Sequence, residues 1–206
     1  MNHIYVVFSA TPYKIGRTIR KITGEAYNHA SIALDPDLNR MYSFARRFYR
    51  TPLYGGFVKE SHARYHVGSK ISQICICKIP VTQEQYAAID TKLTSMHNQA
   101  DHYIYNHISA LGALLHRHIP AKDACTCVEF CTQTLQELGI NVEPKKYCSV
   151  SDLKNVLSEY IIYTGPMPEG NMEDPAYFAK RPVRFPAWVT VRDICKLLPR
   201  MRQINR

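Results

Sequence analysis

Residues 28–47 read NHASIALDPDLNRMYSFARR, and this stretch decides the fold class. Ala30, Ile32 and Leu34 alternate with His29, Ser31 and Ala33, the period of two that gives a strand one apolar side. DPDLN at 35–39 supplies turn chemistry, because Asp and Asn side chains bond their own backbone and proline fixes φ. Strand character resumes from Arg40 to Phe44, so the segment predicts a β-hairpin. His29 then opens a strand, on the side opposite the bulky aliphatics.

Working outward, His3 to Phe8 predicts a strand, and Ile15, Ile19 and Ile22 recur at helical spacing before Gly24, a plausible stop. TPLYGGFVKE at 51–60 reads as a loop whose paired glycines can take backbone angles that other residues avoid. SQICICKIP at 72–80 predicts a strand ended by Pro80, with Cys75 and Cys77 on one face. Thr82 and Gln85 form a T-x-x-Q capping box, followed by the apolar stripe Tyr86, Ile89, Leu93 and Met96. A second helical stretch is expected around Ile104 to Leu115, and a third helix from near Cys127 to Gly139. A short helix from Ser151 to Leu157 and a strand at YIIYTG, 160–165, follow. Hairpins without regular βαβ alternation predict an α+β protein, a mostly antiparallel sheet packed against helices.

At 206 residues and 46% hydrophobic content the chain can bury one sizeable core. No apolar run approaches the roughly 20 residues of a membrane-spanning helix, so no transmembrane segment is expected. The start, MNHIYVVFSATP, lacks a basic lead and fits a first strand better than a signal peptide, which predicts a cytoplasmic protein. In that compartment the seven cysteines stay reduced. Their spacings, Cys75-x-Cys77 and Cys125-x-Cys127-x3-Cys131, are poor zinc matches, and no cofactor or metal is expected.

The sequence ACTCVEFCTQTLQELGI, 124–140, concentrates the chemistry. Val128, Cys131, Leu135 and Leu138 share one helical face, which makes Cys131 a core residue. Cys127 falls in the first turn, where unpaired N–H groups and the helix dipole stabilise a thiolate and can hold an oxyanion. Cys125 is the competing nucleophile, but it precedes the helix and loses that field. Among nine histidines, His29 is the best placed base, since imidazole accepts a thiol proton near neutrality.

The segments YNHASIAL (27–34), MYSFARR (41–47), YGGFVKE (54–60) and CTCVEFCTQTLQELGI (125–140) together resemble the circularly permuted NlpC-type branch of the papain-like cysteine hydrolases. In that branch the histidine strand precedes the cysteine helix. The resemblance runs from about Asn2 to Ile162 and is most specific at its two ends. It implies a papain-like fold, Cys127 as nucleophile and His29 as base. A third polar residue on the strand after the histidine hairpin orients the imidazole; Ser43 falls closest to it, with Ser31 or a backbone carbonyl as alternatives. The implied reaction is acyl transfer through a thioester, with peptide, isopeptide or lipid-ester donors all open. The alternative is a papain-like binding module with little or no catalysis, whose basic tail associates with nucleic acid, an anionic membrane or an acidic protein partner.

Other residues admit plainer readings. Arg46, Arg47 and Arg50 either meet an anionic substrate group or form a solvated cluster. Tyr54 to Phe57 either cover the cleft or turn beside the sheet. His66, His116 and His118 read as structural or exposed.

Charge is concentrated at one end. From Ala176 to Arg206, Lys180, Arg181, Arg184, Arg192, Lys196, Arg200, Arg202 and Arg206 face Asp193 alone, a net of +7 out of the chain's +9. We therefore divide the chain into a domain at 1–165 and a basic C-terminal extension at 166–206. Pro166, Pro168, Pro175, Pro182 and Pro186 argue against continuous regular structure before Trp188. A short helix, VRDICKLL at 191–198, then combines apolar and basic residues and would suit an acidic partner or an anionic membrane surface.

Overall fold

A computed structural model describes residues 2–51, 53–113, 117–140, 142, 149–180 and 185–203. The strands are β1 (Asn2–Ala10), β2 (His29–Ala33), β3 (Met41–Arg46), β4 (Gly55–Glu60), β5 (His66–Val67), β6 (Lys70–Ile71), β7 (Gln73–Val81), β8 (Ile104–Tyr105), β9 (Ala124–Cys125) and β10 (Ile161–Pro166). The helices are α1 (Lys14–Thr23), α2 (Gln83–Asn98), α3 (His107–Ala113), α4 (Cys127–Glu137), α5 (Val150–Val156), α6 (Pro175–Phe178) and α7 (Phe185–Arg202). His116, Cys148, Arg181, Pro182, Arg184 and Arg206 lie outside the described residues, as do the side chains of Pro186 and Arg202.

Six strands form an antiparallel sheet in the order β10-β7-β1-β2-β3-β4, so the chain is α+β. β1 is buried on both faces because both phases of its alternation are apolar. Ile4, Val6 and Phe8 enter the main core, and Tyr5 and Val7 enter a second cluster behind the sheet. The main core is closed by the stripe Ile89, Leu93 and Met96 of α2 and by α4, which packs across β2 and β3. Burying each aliphatic of such a stripe stabilises the fold by about 1.5–3 kcal/mol. The Thr82–Gln85 capping box forms at the start of α2, and Gly24 ends α1 at φ 72°.

Several expectations are corrected. The supposed loop at 51–60 ends in β4, and its glycines serve close approach. A Cβ on Gly56 would lie 2.3 Å from the Tyr103 carbonyl oxygen, and one on Gly55 would lie 2.8 Å from Tyr105 Cβ. Pro80 does not end its strand, since β7 runs on to Val81. Ile104 and Tyr105 belong to a short parallel strand pair with Ala124 and Cys125, and the helix begins only at His107. Asn106 supplies the reason for the delay: its Oδ1 accepts the Ser109 N–H at 3.0 Å, the bond of a helix cap.

The extension is folded onto the rest of the chain. The Met167 N–H donates to the Ser72 carbonyl at 2.8 Å, Tyr177 is buried with its hydroxyl 2.8 Å from that of Tyr13, and Leu197 packs with Ile104, Ala121 and Ala124. Between Pro166 and Phe185 the described residues hold only the four-residue α6, opened by Pro175, while α7 starts at Phe185, three residues ahead of Trp188, and passes through Pro199. Asp193 is buried in the middle of α7 and paired with Arg192.

Candidate active site

Period-two alternation places His29 and Ser31 of β2, Ser43 of β3 and Glu60 of β4 on the side of the sheet away from the main core, and all four are buried. Glu60 is the hub. Its Oε1 accepts His29 Nε2 at 2.8 Å, the Ser31 hydroxyl at 3.3 Å and the Ser43 hydroxyl, while Oε2 accepts the Tyr65 hydroxyl. Ser43 therefore bonds the carboxylate, not the imidazole. The orienting residue expected at Ser43 is Glu60, from the next strand along, because its longer side chain reaches past β3. Ser31 stands between the two, 3.3 Å from His29 Nε2.

Two signals for Glu60 were present in the sequence. It ends the segment YGGFVKE, and it shares its strand face with Val58, so a carboxylate stood on a face that needed a partner. Reading 51–60 as a loop hid this phase.

Cys127 begins α4. Thr126 precedes it as N-cap, accepting the Glu129 N–H at 3.2 Å, and Glu129 returns the bond to the Thr126 N–H at 2.8 Å. The box consumes the Glu129 N–H and leaves those of Cys127 and Val128 with no acceptor inside the helix. Glu129 also accepts the Ser109 hydroxyl and pairs with His118 at 3.1 Å, tying α3 and the 117–119 segment to the same turn. His118 is thus a structural partner, as its plainer reading held.

The ring of His29 interacts with Cys127 as well as Glu60. Nε2 is held by Glu60 and faces the Ser31 hydroxyl, and Cys127 lines the same cleft. Burial is the largest influence on His29 and pulls its pKa down, but the Glu60 charge and then Cys127 overcome it and hold the ring at about 10. Burial likewise pushes Glu60 up, and His29 more than offsets it, holding the carboxyl at about 2. At neutral pH the two form a buried ion pair.

Tyr105, which sequence reasoning missed, brings a half-buried phenol into the cleft that Cys127 lines. Burial first, then the neighbouring Cys127 and Glu129, raises its pKa well above the ordinary value, so its hydroxyl stays a donor. Cys125 is a different thiol: burial and then Glu129 push it up to about 12, and its Sγ lies 3.6 Å from Gln133 Oε1.

Cys127, His29, Glu60 and Tyr105 line one cleft of about 210 Å³. Arg46 also lines it, its guanidinium 4.0 Å from the Tyr13 ring centroid, and Arg64 is anchored at 2.7 Å to Asp174 of the extension. Arg47 instead bonds the Tyr103 and Ala100 carbonyls, and Arg50 is exposed. Tyr177 completes the wall, so 166–206 contributes to the site. Among the described residues no cluster has the ligands to hold a metal ion, and no helix is long and apolar enough to cross a membrane. Compared with known protein families, curated proteins and solved structures, the chain matches none.

Proposed function

We propose that this protein is a thiol hydrolase or acyltransferase of the permuted NlpC-type, papain-like kind, acting on an amide or ester bond through a Cys127 thioester. The observation that carries the reading is the buried Glu60–His29 pair beside Cys127 at the start of α4. An imidazolium next to a sulfur favours the thiolate, the form that attacks. The Cys127 sulfur would add to the carbonyl carbon, with the oxyanion held by the first-turn N–H groups and the Tyr105 hydroxyl. Collapse would expel an amine or alcohol, which takes its proton from His29 and leaves the acyl group on sulfur. His29, now neutral, would take a proton from water or another acceptor, whose oxygen or nitrogen attacks the thioester and releases Cys127.

Ser43 alone would leave the imidazole weakly oriented and favour a binding module. A carboxylate on the ring removes that ground. We place the reaction in the reducing cytoplasm, where a catalytic thiol persists. The test is incubation with p-nitrophenyl acetate: the reading expects a burst of nitrophenol and a single acetyl adduct on Cys127. Release at the same rate from Cys127→Ala would overturn it.

A further inference from the structure

The isoleucines that mark α1 as a helix do not mark its buried side. Ile15, Ile19 and Ile22 are 41%, 39% and 68% exposed, while Gly16 is buried and Arg20 turns inward to the Thr11 carbonyl. On the remaining side stand Lys14, Arg17 and Lys21, all exposed, and α1 contains no acidic residue. A solvated helix gains nothing from three adjacent exposed isoleucines.

The apolar surface continues around the cleft. Ile15, Ile19 and Leu53 all line it, and Leu53 is 51% exposed. The Leu53 carbonyl is bonded to His107 at 2.9 Å, at the start of the helix that presents Leu111, which is 67% exposed. Next to Leu53, the Tyr54 ring lies 5.6 Å from the Arg192 guanidinium, which is in turn 5.2 Å from the Trp188 ring. That contact leads onto α7. Its Val189, Asp193 and Leu197 face inward, while Trp188, Val191 and Leu198 point out, each more than half exposed. Lys196 is exposed on the same helix, and its one acid, Asp193, is buried against Arg192.

We propose that α1, the Leu53 turn, α3 and the outer side of α7 form one docking face for an anionic lipid bilayer, with the cleft mouth on it. Charge chooses the occupant. Both helices expose cations and no carboxylate, and each pairs an apolar outer stripe with basic residues and, in α7, an outward tryptophan, the pattern of helices that lie in a lipid headgroup layer. Apolar side chains would enter the acyl boundary while Lys14, Arg17, Lys21 and Lys196 meet lipid phosphates. This docking goes beyond the thiol chemistry and does not depend on it.

The test is sedimentation of the full chain with vesicles of phosphatidylcholine alone and of phosphatidylcholine with one third phosphatidylglycerol. The proposal expects at least tenfold stronger partition onto the anionic vesicles. A double substitution, Ile22→Glu with Val191→Glu, should weaken it at least tenfold with unchanged thermal unfolding, and Cys127→Ala should bind as the wild type does. No binding to anionic vesicles would overturn the proposal. So would binding indifferent to the double substitution, which would mean a purely electrostatic contact. A stable dimer in analytical ultracentrifugation that the double substitution dissociates would also overturn it, since a second copy would then own the face.

Discussion

Glu60 is the residue on which the site turns. Its carboxylate accepts three hydroxyls and an imidazole, so the buried charge is compensated on every side. Replacing it by Gln removes the counter-charge and leaves His29 buried without it. Glu60→Gln is therefore expected to bring the His29 titration down from about 10 toward neutrality, read by NMR of the ring protons, and to slow acylation of Cys127 by about 100-fold or more. Ser43→Ala removes one of several donors and should cost only about 1 kcal/mol, with His29 titrating nearly as before. Equal effects of the two substitutions would return the orienting role to Ser43.

The same pair sets a pH window for stability. The folded His29 pKa lies above its unfolded value of 6.5, so its contribution is complete below 6.5 and is lost as pH rises toward about 10. The folded Glu60 pKa lies below 4.5, so its contribution is complete above 4.5 and is lost as pH falls toward about 2. Thermal unfolding followed across pH should show this contribution at its maximum between about 4.5 and 6.5. In His29→Gln the alkaline decline should be shallower. Cys127 and His29 were legible at this scale because each depends on local sequence, a helix start and a strand start. Glu60 was not, because its role depends on how far a side chain reaches across a neighbouring strand.

At the scale of elements, spacing located α1, α2 and α4 but did not orient all three. The stripe of α2 and that of α4 do face the core, whereas the equally regular isoleucines of α1 face outward. Periodicity reports that a helix has two sides; only tertiary contacts, here Gly16 against Thr11 and Asn28, decide which side is down. The glycines of β4 make the same point. Gly56 was read for unusual backbone angles, yet it is extended and its missing side chain lets the 103–105 segment approach. Gly56→Ala should therefore destabilise the protein by about 1–3 kcal/mol, measured by chemical denaturation, and displace Tyr105 from the cleft. A neutral substitution would show that the strand pair can simply move apart.

For the whole molecule, the division at residue 165 describes charge better than structure. The extension was set apart by its prolines and basic residues, but its Tyr177 lines the cleft, its Asp174 holds Arg64 there, and Leu197 seals a small cluster under α7. Composition cannot reveal such contacts, because they join residues more than seventy positions apart. Tyr177→Ala should cost about 3–5 kcal/mol in denaturant unfolding and widen the cleft beside Arg64. A variant as stable as the wild type would mean that the extension only rests on the surface.

The central claim is that Cys127 and His29 act as one unit, and labelling chemistry tests it most directly. At pH 6 an ordinary thiol with pKa near 8.5 is almost wholly protonated and slow to alkylate. Limiting iodoacetamide at that pH, with site-resolved mass spectrometry, should modify Cys127 faster than the more exposed Cys125 and Cys195, and His29→Ala should slow Cys127 at least tenfold. Labelling ordered by exposure alone, with Cys195 first and Cys127 indifferent to His29, would contradict the account.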